Sequence, residues 1–189
     1  LGRYDTPLYL TRQIWDTIPV EYLPPNERVT VDMTCGWGSF LIGGYERFSK
    51  LTDMRHISLK SVFFGNDKDE FTARLARLAL LLYSGDDNWH VGTSNALDWN
   101  WLKKHTPNII VGNPPFLGNR KSTSDVLTSQ SRQQVADNFL KYAIQRLSIG
   151  GYLAMLMPLS FSVSQASPEL RKSLLSNCDI LEIWEMPSD

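Results

Sequence analysis

The chain has 189 residues and a formal net charge of −1, from 19 lysines and arginines against 20 aspartates and glutamates. Because 42% of the residues are hydrophobic and 21% are charged, the composition excludes a disordered chain and gives no overall positive field for nucleic acid. The two cysteines lie far apart and the three histidines are scattered, with no spacing typical of a zinc site. We therefore expect no metal and a reducing, cytoplasmic location.

No apolar run approaches the roughly 20 residues that span a bilayer, and the N-terminus lacks the pattern of a signal peptide, so we expect no membrane contact. The sequence begins with leucine and stops directly after a strand-like run. We expect one domain over residues 1–189, as part of a longer polypeptide.

Short apolar runs rich in β-branched residues alternate with helical patterns along the chain. The runs predict strands at 29–33, 61–65, 89–93, 108–112, 152–157 and 179–184. Helices are predicted at 6–18, 39–48 and 169–175, and two more by the spacing of Phe71, Leu75, Leu78 and Leu82 and of Val135, Phe139, Tyr142, Ala143 and Leu147. This alternation predicts an α/β fold, a Rossmann-like, doubly wound and mainly parallel sheet with helices on both faces. A ligand should then lie at the carboxyl ends of the strands.

One segment, 117–134, breaks the alternation. It is rich in serine, threonine and glutamine and follows the end of a predicted strand. Three basic residues against one acid give it a charge of 3 − 1 = +2. We expect a long, mobile polar loop.

The first predicted strand is followed by Asp32-Met33-Thr34-Cys35-Gly36-Trp37-Gly38-Ser39-Phe40-Leu41. Gly36 and Gly38 allow a tight turn and a close approach of the backbone to a ligand at the start of a helix. A dinucleotide-binding loop would have a third glycine where this chain has Leu41. The pattern is equally compatible with a simple turn from strand to helix.

Two further strand ends carry polar candidates. Asp67 follows the second strand, where an α/β nucleoside site needs a carboxylate for the ribose hydroxyls. Asp67 could instead cap the next helix, but Asp69 is the better placed cap. After the third strand, Asn95 either offers its amide to a purine edge or only shapes a turn.

The most specific motif is Asn113-Pro114-Pro115-Phe116, after the buried strand at 108–112. The two prolines fix the backbone and leave carbonyls with no competing N–H. If the Asn113 side-chain oxygen and the Pro114 carbonyl each accept an N–H from one planar nitrogen, its lone pair is directed towards an electrophile. Phe116 would stack on the planar group.

Together, in this order, these motifs resemble the N6-adenine DNA methyltransferases of restriction–modification systems, which use S-adenosylmethionine. The segment from Asp32 to Leu41 is similar to the family's Asp-Pro-x-Cys-Gly-Ser-Gly-x-Phe-Leu loop, with Met33 in place of proline and Trp37 in place of serine. The family's Asn-Pro-Pro-aromatic motif is matched in full. The segment Tyr4-Asp5-Thr6-Pro7, placed before the glycine loop, is typical of the gamma motif order.

The resemblance implies a methyltransferase catalytic domain with S-adenosylmethionine as its cofactor and no metal. It implies that the residues contacting the cofactor are Tyr4, Thr6, Asp32, Thr34, Cys35, Gly36, Gly38, Phe40, Asp67, Asn95 and Asn113. Cys35 would serve in packing or through its backbone and not as a nucleophile.

The resemblance also implies that the substrate is double-stranded DNA, from which an adenine flips out, stacks on Phe116 and takes the methyl group. Basic residues of 117–134 would contact phosphates. A separate target-recognition region or subunit would read the sequence. The alternatives are an amino-methyltransferase for RNA or for a protein glutamine, and a degenerate cofactor-binding module of a larger defence protein.

Overall fold

The structure is a computed structural model that describes residues 5–54, 58–59, 62–87, 89–115, 129–163 and 168–186. Five parallel strands form one sheet in the order β3-β2-β1-β4-β5. They are β1 (Thr30–Asp32), β2 (Phe63–Asp67), β3 (His90–Thr93), β4 (Ile109–Gly112) and β5 (Tyr152–Met155). The order reverses at β1, which has β2 on one side and β4 on the other.

Helices cover both faces of this sheet. They are α1 (Leu8–Thr17), α2 (Ser39–Ser49), α3 (Glu70–Ser84), α4 (Asn100–Lys104), α5 (Ser129–Arg146), α6 (Ser160–Val163) and α7 (Pro168–Asn177). Trp15, Leu41 and Leu80 of α1 to α3 belong to one buried cluster. Leu102 of α4 and Phe139 of α5 belong to another. The prediction of a doubly wound α/β fold is therefore confirmed.

The apolar composition of β4 follows from this layering. Ile109, Ile110 and Val111 are all 0% exposed. Ile109 and Val111 pack in the cluster of α1 to α3, and Ile110 packs in the cluster of α4 and α5. Since alternate side chains of a strand point to opposite faces, a strand covered on both faces needs apolar residues at every position.

The first two helices are joined by close packing at Trp15. The Trp15 indole donates to the Phe40 carbonyl at 2.8 Å, and the Thr11 hydroxyl donates to the Ser39 carbonyl at 3.1 Å. A Cβ atom at Gly44 would lie 2.6 Å from the Phe63 ring and 2.7 Å from the Trp15 ring. The absence of a side chain at Gly44 thus lets α1 approach α2.

Three features differ from the sequence-based expectations. Strand β2 ends at Asp67 and not at residue 65, because Asn66 and Asp67 pair with Gly92 and Thr93 of β3. Helix α5 begins at Ser129, so 129–134 is helical and not part of the predicted polar loop; most of that loop, 117–128, lies outside the described residues. The predicted strand at 179–184 is wrong, because this stretch pairs with no other described strand and is exposed.

No helix in the described part of the chain is long and apolar enough to cross a membrane.

We expect Gly44→Ala to destabilise the protein by about 1–3 kcal/mol, because the added methyl group overpacks the contact with Phe63 and Trp15. Helix propensity alone would have the opposite sign, since alanine is favoured over glycine in a helix by about 1 kcal/mol. Chemical unfolding measures the change in the free energy of unfolding. The control is Ser49→Ala, at an exposed position of the same helix. An increase in stability would show that the helices can separate at this point.

Candidate active site

The candidate site is a cavity at the carboxyl ends of β1 and β4, where the strand order reverses. Open parallel sheets bind ligands at this kind of position, because the loops on either side of the reversal diverge and leave a crevice. Residues from three separate segments line the cavity. They are Asp5, Thr6, Asp32, Thr34, Cys35, Gly36, Trp37, Ser39, Phe40 and Asn113.

The glycine loop after β1 forms one wall. Gly36 and Gly38 have φ angles of +54° and +88°, in the left-handed region where a side chain is strained. The Gly38 N–H donates to the Cys35 carbonyl at 2.7 Å and closes the turn. Gly38 is also the N-cap of α2, and no side chain caps this helix end. The loop therefore brings backbone and the positive end of α2 to the cavity.

A buried carboxylate lies at the base of the cavity. Asp32 is 1% exposed, and its Oδ1 accepts the Thr34 N–H at 3.0 Å. Burial raises the pKa of Asp32 to about 7, against the Thr34 hydrogen bond, which lowers it, and with a further rise from the charge of Asp67. The cavity is thus lined by a carboxyl group whose pKa lies near neutral pH.

The Thr34 hydroxyl is a buried polar atom without a hydrogen-bond partner among the described residues. Buried hydroxyls are rarely left in this state, since the loss of hydrogen bonds to water costs about 1–3 kcal/mol. Thr34 also lines the cavity. Its hydroxyl is therefore positioned to bond a polar group of a ligand.

Asp67 ties the glycine loop to β2. Its Oδ2 accepts the Gly36 N–H at 3.2 Å, and its Oδ1 accepts the Asp69 N–H at 2.9 Å. Asp69 caps α3, as expected, by accepting from the Thr72 N–H. The Asp67 carboxylate thus holds two backbone N–H groups and does not cap α3. Asp67 is not among the residues that line the cavity.

Asn66 is a site residue that the sequence interpretation missed. It is 0% exposed, and its amide donates to the Met33 carbonyl at 3.2 Å and the Ser94 carbonyl at 3.0 Å. Its side-chain oxygen accepts the Ser94 hydroxyl at 2.8 Å. Asn66 thus fastens the ends of β1, β2 and β3 together. The signal for it was an asparagine directly after an apolar run.

Asn95 follows β3 and forms a local turn. Its side-chain oxygen accepts the Leu97 N–H at 3.3 Å, and its amide donates to Asp98 at 3.2 Å. It caps the short 3-10 helix Ala96–Asp98. Asn95 is not one of the residues that line the cavity. Its observed contacts therefore fit the alternative that Asn95 shapes a turn.

Asn113, at the start of the Asn-Pro-Pro segment, lines the cavity on the side of β4. A Cβ atom at Gly112 would lie 3.0 Å from Asp32 Oδ1, so the end of β4 lies against the end of β1. Asn113 is half-buried and donates its amide to the Thr6 hydroxyl at 3.2 Å. Pro114 is buried and Pro115 half-buried. Phe116 and Tyr4, two predicted site residues, lie outside the described residues.

Cys35 and Trp37 occupy contrasting positions in the loop. Cys35 is 6% exposed, and burial together with the charges of Asp32 and Asp67 raises the pKa of its thiol well above the usual range. The thiol is therefore neutral at physiological pH, which suits packing and not nucleophilic attack. Trp37 is 53% exposed, so its ring lies at the cavity mouth without filling it.

No three histidine, cysteine, aspartate or glutamate residues of the described ranges come together as a group that could hold a metal ion.

Comparison with known proteins gives a family and a fold. The family model for N-6 DNA methylase matches residues 1–189. The chain is similar to the M protein of the type I restriction enzyme EcoKI, with a TM-score of 0.69 and 22% identity over 92% of this chain and 38% of that chain. It is also similar to DrdV in a complex with DNA, with a TM-score of 0.68 and 16% identity over 92% of this chain and 22% of that chain.

A third similar structure is a protein from Listeria monocytogenes described as a class I S-adenosylmethionine-dependent methyltransferase. The TM-score is 0.58 and the identity 13%, over 89% of this chain and 50% of that chain. The sheet and helices thus form a class I methyltransferase fold. The chain spans half or less of the length of each of these three proteins. Comparison with the curated proteins finds no significant match.

The raised pKa of Asp32 predicts a pH dependence of stability. A carboxyl with a higher pKa in the folded state than in the unfolded state costs stability as pH rises from about 4 to about 7. We expect Asp32→Asn to remove this cost, because Asn keeps the acceptor for Thr34 without the charge. The gain in stability of Asp32→Asn over the wild type should be greater at pH 8 than at pH 5 by about 3 kcal/mol.

Unfolding in denaturant at both pH values measures this difference. The control is Asp87→Asn, at an exposed position, which should follow the pH profile of the wild type. Parallel profiles for wild type and Asp32→Asn would contradict the assignment of the buried charge.

Proposed function

Because the chain belongs to the N-6 DNA methylase family, we propose that it transfers a methyl group from S-adenosylmethionine to the N6 amino group of adenine in double-stranded DNA. The observation that carries the proposal is that Asn113, the first residue of the Asn-Pro-Pro motif, lines the same cavity as the glycine loop. A nitrogen held by Asn113 would face a methyl donor held by the glycine loop.

The residues of the cavity fit this cofactor. The Thr34 hydroxyl needs a polar partner, Gly36 presents backbone without a side chain to the cavity, and Asp32 supplies negative charge for a cationic group. We propose that the residues that hold the cofactor are Thr6, Asp32, Thr34, Cys35, Gly36, Gly38, Phe40, Asp67, Asn95 and Asn113. When bound, S-adenosylmethionine would supply a methyl group whose carbon is already electrophilic, because it is attached to a positively charged sulfur.

Asp67 is the proposed partner of the ribose hydroxyls. A carboxylate accepts hydrogen bonds from hydroxyl groups, and the bonds from the Gly36 and Asp69 N–H groups fix the orientation of this one. The same bonds link the ribose position to the glycine loop. Asp67 would thus align both ends of the cofactor.

The adenine amino group needs help because its lone pair is delocalised into the ring. In our proposal the Asn113 side-chain oxygen and the Pro114 carbonyl each accept one of its hydrogens. This draws the nitrogen towards tetrahedral geometry and turns its lone pair to the methyl group. Phe116 would stack on the base. Asn113 and Pro114 would thus hold the amino group so that its nitrogen could accept the methyl group that the cofactor would supply, and the extra proton on that nitrogen would leave to solvent.

The reaction requires the adenine to leave the duplex, because its amino group is paired and stacked inside. We propose that basic residues of 117–134 contact phosphates beside the flipped base. Recognition of the target sequence would lie in a region or subunit outside this chain, within a restriction–modification or related defence system. DrdV, a similar structure, was determined in complex with DNA.

The test uses the full-length protein that contains this chain, assembled with its subunits. It is incubated with S-adenosylmethionine that carries a label in the methyl group. Plasmid DNA, total RNA and a glutamine-containing peptide are compared as acceptors. N6-methyladenine in DNA supports the proposal. Label in RNA or in the peptide would contradict the proposal and support the alternative of an RNA or protein-glutamine methyltransferase. A folded protein that neither binds the cofactor nor transfers label would support the alternative of a degenerate module.

We expect Asn113→Ala to reduce methyl transfer by at least about 100-fold, which corresponds to about 3 kcal/mol of transition-state stabilisation. Cofactor binding should stay nearly intact, because the side chain acts on the nucleophile. Single-turnover rates and calorimetry separate the two effects. The exposed Asn177→Ala serves as control. Wild-type turnover in Asn113→Ala would disprove its role.

We expect Asp67→Ala to weaken cofactor binding by about 1–3 kcal/mol, the cost of a missing charged hydrogen-bond partner. Calorimetric titration with S-adenosylmethionine and S-adenosylhomocysteine measures the two dissociation constants. Both should rise by similar factors, because both ligands contain the ribose. The exposed Asp87→Ala is the matched control. An unchanged dissociation constant would show that the ribose is held by other residues.

A further inference from the structure

We propose that Thr6 is a positioning residue that holds the Asn113 side chain in its working orientation, an inference that rests on the function proposed above. The observation is the hydrogen bond from the Asn113 amide nitrogen to the Thr6 hydroxyl at 3.2 Å. It joins two segments separated by 107 positions in the sequence. For the segment at 4–7 the family resemblance implies a different contact, between its backbone and the methionine end of the cofactor.

The Thr6 side of this contact is fixed by its neighbours. Pro7 follows Thr6, and a residue before proline is restricted to extended backbone. Pro7 is the N-cap of α1, and α1 is fastened to α2 through Thr11 and Trp15. Thr6 is 9% exposed, so water competes little for its hydroxyl. The hydroxyl is therefore a preorganised partner.

The Asn113 backbone is fixed in the same way, because Pro114 follows it and β4 ends one residue before it. The remaining freedom lies in the torsions of its side chain. A primary amide has a donor end and an acceptor end, and only the acceptor end can receive a hydrogen from the substrate amino group. By taking the NH2 end, Thr6 directs the oxygen end towards the reacting nitrogen.

The loss of a hydrogen bond that only orients a catalytic side chain should lower the rate of methyl transfer more than the affinity for substrate or cofactor. A displacement of a catalytic group by about 1 Å can reduce a rate by about 100-fold. The cofactor contact proposed for Thr6 is made by its backbone, which valine leaves in place. The glycine loop and Asp67 would still hold the cofactor, and residues elsewhere would hold the DNA. The loss of the Thr6 hydroxyl should therefore lower kcat and leave both KM values nearly unchanged.

The test replaces Thr6 by valine, which keeps the shape and removes the hydroxyl. For Thr6→Val in the full-length protein we expect kcat to fall about 10- to 100-fold, with KM values for DNA and cofactor within about twofold. Thr6→Ser should restore kcat to within about threefold of the wild type, because it restores the hydroxyl.

The matched control is Thr17→Val, the same change at the far end of α1, the helix that Thr6 precedes. The Thr17 hydroxyl donates only to the Ile14 carbonyl at 2.8 Å among the bonds that the structure gives it, and Thr17 is not a lining residue of the cavity. Its kcat should equal that of the wild type. A fall in kcat of Thr17→Val equal to that of Thr6→Val would reveal a general effect on α1 and overturn the inference.

A second measurement does not depend on turnover. Nitrogen-15 relaxation of the Asn113 side-chain amide, assigned by its disappearance in Asn113→Ala, reports the order of that group in the chain itself. We expect the order to fall in Thr6→Val and to stay high in Thr6→Ser and Thr17→Val. Unchanged order in Thr6→Val overturns the inference, even if the wild type methylates DNA. If the wild type transfers no methyl group, the proposed function fails, whereas reduced order in Thr6→Val still supports the contact.

Discussion

The parallel pairing of β1 with both β2 and β4 determines where everything else in the site lies. Asp32, the last residue of β1, pairs with Gly65 on one side and with Val111 on the other. The loops that follow β1 and β4 therefore leave the sheet side by side, one carrying the glycines and the other carrying Asn113. Because the order reverses between them, a crevice opens where the two loops separate. A different neighbour for β1 would separate the two walls of the cavity.

This arrangement concentrates negative charge in a buried place. Asp32 and Asp67 lie close enough for the charge of Asp67 to raise the pKa of Asp32, and the same two charges raise the pKa of the Cys35 thiol. In the free protein the concentration of carboxylates costs stability, since ionised groups lose water on burial. A cationic ligand reverses that balance by supplying the missing opposite charge. The cost in the free protein and the proposed preference for a sulfonium cofactor have one physical origin.

The sequence predicts the layers of this fold better than its edges. The apolar runs at Ile109, Ile110 and Val111 need no partner to be identified as a buried strand. Asn66 belongs to β2 because it pairs with Gly92 of β3, a strand distant in the sequence. The stretch at 179–184 has a strand-like composition, but strand formation depends on a neighbouring strand, which its own pattern does not encode. In the site, the glycine loop and Asn113 are visible as motifs, whereas the contact with Thr6 spans nearly the whole chain.

The hydrogen bonds of the polar residues separate structural from functional roles near the cavity. Asn66 is fully buried, and both ends of its amide have protein partners, so it acts in the fold. Thr34 presents a buried hydroxyl without a partner among the described residues. A protein retains such a cost where a bound molecule removes it. Asn113 lies between these cases, since Thr6 holds its donor end while its position after β4 faces the glycine loop. A bond that orients a catalytic group must come from a residue whose own position is already fixed. Residues that fix the geometry, such as Thr6, therefore lie next to residues that face a ligand, such as Asn113.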